Sequence, residues 1–296
     1  MNPLTRSILA TSITLFSVVS ISQAADPKPI RALLITGGCC HDYAAQKEIL
    51  KKGLEQRLNI TVELMHSEDK NTKPSLDCHN NPDYAKGFDI VIHDECAADI
   101  SNPENIEKVL APHRSGVPAL VLHCAMHSYR NGTQKKPAEE GTPDAIWFEF
   151  TGMQSSGHGA QEPITIQFEE SPSPILKGLS GWTTGKEELY NTIKVFKTAT
   201  VLAKGTQSFK VKNAKEGEPA EKLVDGVIIW TNIYKEKTRV FGTTLAHNNS
   251  TVEDPRYLEL VSRGVLWATK NMADDGTPKE GYVKPTIRDP RTPVPE

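Results

Sequence analysis

The chain has 296 residues, 38% of them hydrophobic and 24% charged, an ordinary balance for a globular protein that excludes wholesale disorder, collagen and a polytopic membrane protein. Its 34 Lys and Arg against 37 Asp and Glu give a formal net charge of −3, with no Lys/Arg block long enough to track a phosphate backbone. Nucleic acid is therefore not an expected partner.

Residues 1–24 open with Arg6, continue as an apolar stretch over 8–21 and end in Ser22-Gln23-Ala24, with small residues at the two positions a signal peptidase reads. A signal peptide cleaved after Ala24 is expected, and with it export to the periplasm or the extracellular space. A single membrane anchor is the alternative. It is disfavoured because Thr11, Ser12, Thr14, Ser17 and Ser20 interrupt a stretch already short for a bilayer, so no membrane span is expected after cleavage. Export permits disulfides, and five cysteines leave at least one thiol over. Cys39 and Cys40 are adjacent; a bond between neighbours is strained, so each is expected to pair elsewhere, with Cys78, Cys96 or Cys124.

Residues 30–36 form a near-continuous apolar run ending in Gly37-Gly38, the pattern of a parallel strand buried on both faces. Residues 44–58 follow with helical spacing, Ile49, Leu50, Leu54 and Leu58 on one side. Strands over 61–65, 88–93 and 117–123 and a helix over 103–113 continue the alternation. After a polar loop over 130–143 and a short helix over 145–151, the second half is richer in strands, at 164–168, 198–203, 226–232 and 239–244. A helix over 255–271 closes it. This order predicts an α/β fold with an open, mostly parallel sheet, helices on both faces and a strand-rich second half. Residues 25–272 read as one domain. Residues 273–296, with Pro278, Pro285, Pro290, Pro293 and Pro295, read as an extended tail.

Open α/β sheets bind ligands beyond the carboxyl ends of their strands. The expected strand ends carry His41-Asp42, His93-Asp94-Glu95-Cys96 and His123-Cys124-Ala125-Met126-His127, and later turns carry His158 and His247-Asn248. Imidazoles at one sheet edge can do acid–base work near neutral pH or ligate a divalent metal, with Glu95, Glu188 and Asp42 as carboxylates. His41, His123 and His127 are the candidate metal ligands, the last two sharing a face if the turn opens straight into a helix. His-Glu-x-x-His, paired Cys-x-x-Cys, a Walker loop and Gly-x-Gly-x-x-Gly are all absent, so no nucleotide cofactor is expected. Cys124 resembles a nucleophile at a strand-to-helix elbow, but the small residues such an elbow needs are missing before it and His123 occupies the apex. A buried or disulfide-bonded Cys124 is the expectation.

Four segments together resemble the trehalose-utilisation, or ThuA-like, family. Val117-Pro118-Ala119-Leu120-Val121-Leu122-His123-Cys124-Ala125 is similar to its strand ending in Ile-His-Ala-Ala, and Ser156-Gly157-His158-Gly159 to its Ser-His-Pro turn. Pro174-Ile175-Leu176-Lys177-Gly178-Leu179 with Glu188-Leu189-Tyr190 resembles His-Pro-x-x-Lys-Gly-Leu and Asp-Glu-Trp-Tyr. Val240-Phe241-Gly242-Thr243-Thr244-Leu245-Ala246-His247, with the later Gly264-Val265-Leu266-Trp267-Ala268, resembles Val-Phe-Tyr-Thr-x-Leu-Gly-His and a terminal Gly-Ile-x-Trp-Ala helix. Gly159 in place of proline and Ala246 in place of glycine are departures. The resemblance implies the fold of class I glutamine amidotransferases without their cysteine nucleophile, and a role in carbohydrate catabolism on oxidised, keto glycosides by hydrolase- or lyase-type chemistry.

On this reading His123, His158, Glu188 and His247 are catalytic, while His41, Asp42, Glu95, His127, Arg130, Tyr190 and Asn248 bind a small carbohydrate, with or without a divalent metal. A second reading makes the pocket a non-catalytic glycan or small-ligand binder in which Trp147, Trp182, Trp230 and Tyr190 supply apolar faces. A third has Cys39, Cys40, Cys96 and Cys124 join His41 and His123 in binding metal or sensing redox state.

Overall fold

A computed structural model describes residues 27–130, 135–210 and 221–285. The expected signal peptide lies outside the described residues, as does the tail beyond residue 285. In chain order the regular elements are β1 (Ile30–Gly38), α1 (Tyr43–Arg57), β2 (Ile60–Ser67), β3 (Ile90–Cys96), α2 (Pro103–Ser115), β4 (Ala119–Leu122), α3 (Ile146–Thr151), β5 (Met153–Phe168), β6 (Thr183–Val195), β7 (Ala199–Lys210), β8 (Glu221–Tyr234), β9 (Thr238–Thr243), α4 (Asn249–Val252) and α5 (Pro255–Ala268).

Among the described residues nine strands form one sheet in the order β2-β1-β3-β4-β9-β8-β7-β5-β6. The first five in this order pair in parallel and the remainder antiparallel, so the sheet is mixed. Alternation along the core strands explains the layers. Ala32 and Leu34 of β1, Ile90 and Ile92 of β3, and Leu120 and Leu122 of β4 pack with Leu50 and Leu54 of α1 and Leu258 of α5. Leu33, Ile35, Val91, Ala119 and Val121 point the other way, onto Val109 of α2 and Trp147 and Phe148 of α3. With both faces covered, the runs have no polar alternation to read.

The helices start where capping chemistry allows. Asp42, Asn102 and Asp254 accept hydrogen bonds from the first turns of α1, α2 and α5, and Pro103 and Pro255 occupy first-turn positions where their missing N–H is no loss.

Three expectations need correction. β3 extends through Cys96, so His93 and Glu95 belong to a fully buried strand rather than to a loop. His158 lies inside β5, not in a turn; β5 runs through register shifts at residues 154–165, and its Ser-Gly-His-Gly segment gives no period-2 signal. The described part of the tail folds back: Tyr282 carbonyl accepts from Asn59 N at 2.9 Å, and Lys284 N donates to Arg57 carbonyl at 2.9 Å. Among the described residues no helix is long and apolar enough to cross a membrane.

Candidate active site

The chain leaves β1 through Gly37 (φ 125°) and Gly38 (φ 101°), and a Cβ on Gly38 would come 2.3 Å from the Cys96 carbonyl oxygen at the end of β3. Only glycine lets the first loop pass so close, and the loop then delivers Cys39, Cys40 and His41 to the carboxyl edge of the sheet. His123 follows β4 directly with φ 45°, a left-handed backbone that turns its ring back over the sheet edge. Its Nδ1–H donates to the Thr244 carbonyl at 2.6 Å, which leaves Nε2 as the unprotonated nitrogen. His247 comes three residues after that carbonyl.

Opposite them, the β5–β6 pair supplies the carboxylate. Its register sets His158 against Tyr190 and Gln161 against Glu188. Glu188 Oε1 lies 3.2 Å from His247 Nδ1, and Oε2 lies 3.4 Å from His158 Nε2 and 3.6 Å from His123 Nε2. Gln161 Nε2 donates to His247 Nε2 at 2.7 Å, so the His247 proton sits on Nδ1 and points at Glu188. The buried Glu187 next door accepts from the backbone N–H of His247 at 3.1 Å and fixes its loop. His41 completes the group edge-on, its ring centroid 4.6 Å from that of His123 and 4.7 Å from that of His247.

Burial works against charge on Glu188, but the imidazoles gathered around it, His123, His247 and His158, win and hold its carboxyl below the usual carboxylate range. The same contact raises His247 above the ordinary imidazole value, against a smaller opposing effect of burial. His41 goes the other way, down to about 3, because it is buried and faces the imidazoles of His123 and His247. The site thus pairs a carboxylate with an Nδ1–H imidazole whose pKa it raises, and keeps a second, neutral imidazole beside them.

A cleft of about 690 Å³ opens over this group, reaching it through His41 and His247, with Asp42, Asp69 and Asn248 in its walls. His41, His123 and His247 each offer a ligand atom within 4.8 Å of the others, and His41 Nδ1 is buried with no hydrogen-bond partner among the described residues. A tetrahedral zinc site draws such nitrogens in to about 3.3 Å of one another. The trio fits a divalent cation, which would polarise a carbonyl or acidify a bound water.

The sequence matches the model of the ThuA family, described as trehalose utilisation, over residues 31–268. The chain belongs to the ThuA family. It is similar in structure to a protein described as ThuA-like from Parabacteroides merdae, at 18% identity and a TM-score of 0.58, covering 86% of this chain and 97% of that one. A second such protein, from Bacteroides uniformis, gives 15% identity and 0.51, covering 83% and 96%. A protein described as a GMP synthase component from Thermoplasma acidophilum gives 12% and 0.47, covering 82% and 96%. No curated protein matches the chain.

Of the expected residues in this ThuA domain, His41, His123, His158, Glu188 and His247 come together, and Tyr190 joins them with its hydroxyl 3.3 Å from His123 Nε2. His127 stacks on the Tyr190 ring at 4.2 Å and is 2.9 Å from Ser155 Oγ through Nε2. It buttresses the site instead of ligating with His123: residues 123–127 form a 3-10 turn, in which positions four apart do not share a face. Asp42 caps α1 and accepts from Asn249 Nδ2 at 2.8 Å, while Asn248 Nδ2 donates to the Lys186 carbonyl. Both stay at the cleft wall. Arg130 lies on the thiol side, where burial lowers its pKa against the pull of Cys124 and Cys96.

Glu95 is not in the pocket. It faces the α2 side of the sheet, where Oε1 meets His93 Nδ1 at 2.8 Å and accepts from Tyr129 Oη at 2.7 Å. Trp147 and Trp230 are also core residues, fully buried with their indole N–H groups bonded to the carbonyls of Ala125 and Thr151. They offer no platform for a sugar. The cysteine expectation is overturned as well: Cys39 and Cys40 bond to each other, and Cys78, Cys96 and Cys124 are free and buried. Gln161 and Glu187 were not singled out from sequence. The Glu187-Glu188 pair within an otherwise exposed-looking Lys/Glu segment was the available signal.

Proposed function

We propose that this ThuA-family protein is an enzyme of carbohydrate catabolism that performs acid–base chemistry on a keto glycoside. The observation that carries the reading is the convergence of His123, His158 and His247 on the two oxygens of one carboxylate, Glu188, at the edge of an open cleft. His123 Nε2, unprotonated because Nδ1–H is tied to Thr244, takes a proton from the carbon next to the substrate carbonyl. His247, whose Nδ1–H faces Glu188 and whose pKa that contact raises, stands beside the oxygen that becomes negative. His41, neutral throughout the physiological range, donates or accepts a hydrogen bond without adding charge. The N-terminal 24 residues support the further proposal that the protein works after export, in the periplasm or outside the cell.

The test is incubation with a panel of keto glycosides in deuterated water, read by NMR for product and for deuterium at the carbon next to the carbonyl. The wild type is expected to give one or both, and His123→Ala and Glu188→Ala to give neither. Saturable binding with neither product nor exchange would replace this reading by that of a glycan-binding protein. Cell fractionation and the N-terminal sequence of the mature protein test the compartment.

A further inference from the structure

Four of the five cysteines form a line of sulfurs that the acid–base chemistry leaves unused. Cys40 is bonded to Cys39; Cys39 Sγ lies 3.4 Å from Cys96 Sγ; Cys96 Sγ lies 2.9 Å from Cys124 Sγ. The line runs inward, from Cys40 exposed in the cleft wall to Cys124 buried directly after His123. Cys78 is buried in the core of the other face and stands apart.

Thiol–disulfide exchange needs a thiolate in contact with one sulfur of a disulfide whose other sulfur can leave. Cys96 touches Cys39, and the leaving partner, Cys40, is the sulfur that meets solvent. Cys124 donates its S–H to Cys96 at 2.9 Å, so Cys96 is the sulfur in contact with the disulfide and Cys124 stands behind it. Cys96 is therefore the attacking thiolate and Cys124 the follower.

We propose that Cys39, Cys40, Cys96 and Cys124 form an internal thiol–disulfide exchange site that passes one disulfide between Cys39–Cys40 and Cys96–Cys124. In the first step Cys96 bonds to Cys39 Sγ, the Cys39–Cys40 bond breaks, and Cys40 leaves with the electron pair. In the second step Cys124 gives up its proton, which the Cys40 thiolate takes by way of solvent, and bonds to Cys96. The Cys39–Cys96 bond breaks and Cys39 leaves as the thiolate. One disulfide and two thiols stand on each side, so no external oxidant or reductant enters. The exchange frees the loop that carries His41 and ties the end of β3 to the turn that carries His123.

The experiment maps linkages in the full-length protein. Oxidised protein is held at roughly pH 8, near the free-thiol pKa, then quenched in acid, denatured and alkylated, and its peptides are read by mass spectrometry without reduction. The wild type is expected to contain molecules with Cys96–Cys124 linked and both Cys39 and Cys40 alkylated. Cys124→Ser should stop at a Cys39–Cys96 link with Cys40 alkylated, and Cys96→Ser should show Cys39–Cys40 alone. Cys40→Ser, which leaves the buried sulfurs untouched, should carry Cys39–Cys96. Cys39–Cys40 as the sole linkage in both the wild type and Cys124→Ser would overturn the proposal, and so would linkages found only between chains. None of these readouts depends on turnover.

Discussion

Glu188 Oε1 and His247 Nδ1 stand 3.2 Å apart across the gap between β6 and the loop after β9, joining the antiparallel half of the sheet to the parallel half. The contact raises the His247 pKa, so the pair contributes stability fully below the unfolded imidazole value near 6.5 and loses it as pH rises through the higher folded value. Glu188→Gln should move the His247 titration down, seen by NMR on chelator-treated protein. Turnover of an identified keto glycoside should fall by roughly 10²–10⁴, the range for losing a general acid or base. An unmoved His247 titration would mean that Glu188 does not set its charge.

The trio of His41, His123 and His247 predicts that protein purified without chelator carries a divalent ion, detected by elemental analysis, and that His123→Ala loses it. His127→Ala should keep it, because His127 is held by Ser155 and the Tyr190 ring outside the trio. Loss in both variants would put His127 back among the ligands. Metal-free wild type would leave the imidazoles to acid–base work alone.

Acid should destabilise the fold through a histidine far from the cleft. His113 is fully buried; its Nδ1–H donates to the Val117 carbonyl at 2.8 Å, and Nε2 faces His93 Nε2 at 3.0 Å. Nε2 must therefore accept, and burial with the neighbouring His93 lowers its pKa to about 3. Between about pH 6.5 and that value the unfolded chain binds a proton at this residue and the folded one does not. Stability therefore drops as pH is lowered, by about 1.4 kcal/mol per unit for one such group. Denaturation midpoints measured across this range should show the slope, and His113→Gln should reduce it by about one proton.

Glu95 gives the sharpest separation of site from scaffold. With His93, Tyr129 and no exposed surface around it, the carboxyl belongs to a buried polar network whose one-sided disruption costs about 3–5 kcal/mol. Glu95→Gln should lower the denaturation midpoint accordingly and leave turnover per folded molecule unchanged. A turnover defect without a stability defect would return Glu95 to the pocket.

The parallel core was legible because its strands are buried on both faces and its helices carry caps and prolines where they begin. From that pattern alone the strand ends holding His41, His123 and His247 could be placed at one edge. Glu188 and His158 were another matter: they lie on β6 and β5, where register shifts and buried glutamates erase the period-2 signal, so the residue types alone make them candidates and the family resemblance supplies their catalytic role. Glu95 lies past the expected strand end at residue 93, while β3 runs three residues further, to Cys96. Such an offset gives a core residue the look of a loop residue. The Cys39–Cys40 bond was hidden for a different reason, since the loop that carries it leaves β1 through Gly38 packed against the Cys96 carbonyl, a tertiary contact.

Ala246 stands where the family pattern has glycine, and the structure shows why glycine suits the position: φ is 105°, outside the comfortable range of a residue with a Cβ. The strain is held by neighbours. Gln46 Nε2 donates to the carbonyls of both Ala246 and His247, at 3.3 and 3.1 Å, and Glu187 accepts from His247 N. Such a backbone costs about 1–2 kcal/mol, while glycine adds about 0.4–1 kcal/mol of unfolded-state entropy. Ala246→Gly should therefore be neutral to stabilising by about 1 kcal/mol, a rise in Tm of roughly 2–4 °C for a domain of this size. A fall in Tm would show that packing of the buried methyl outweighs the strain. In that case the alanine holds the His247 loop by contact, and substrate affinity should weaken along with stability.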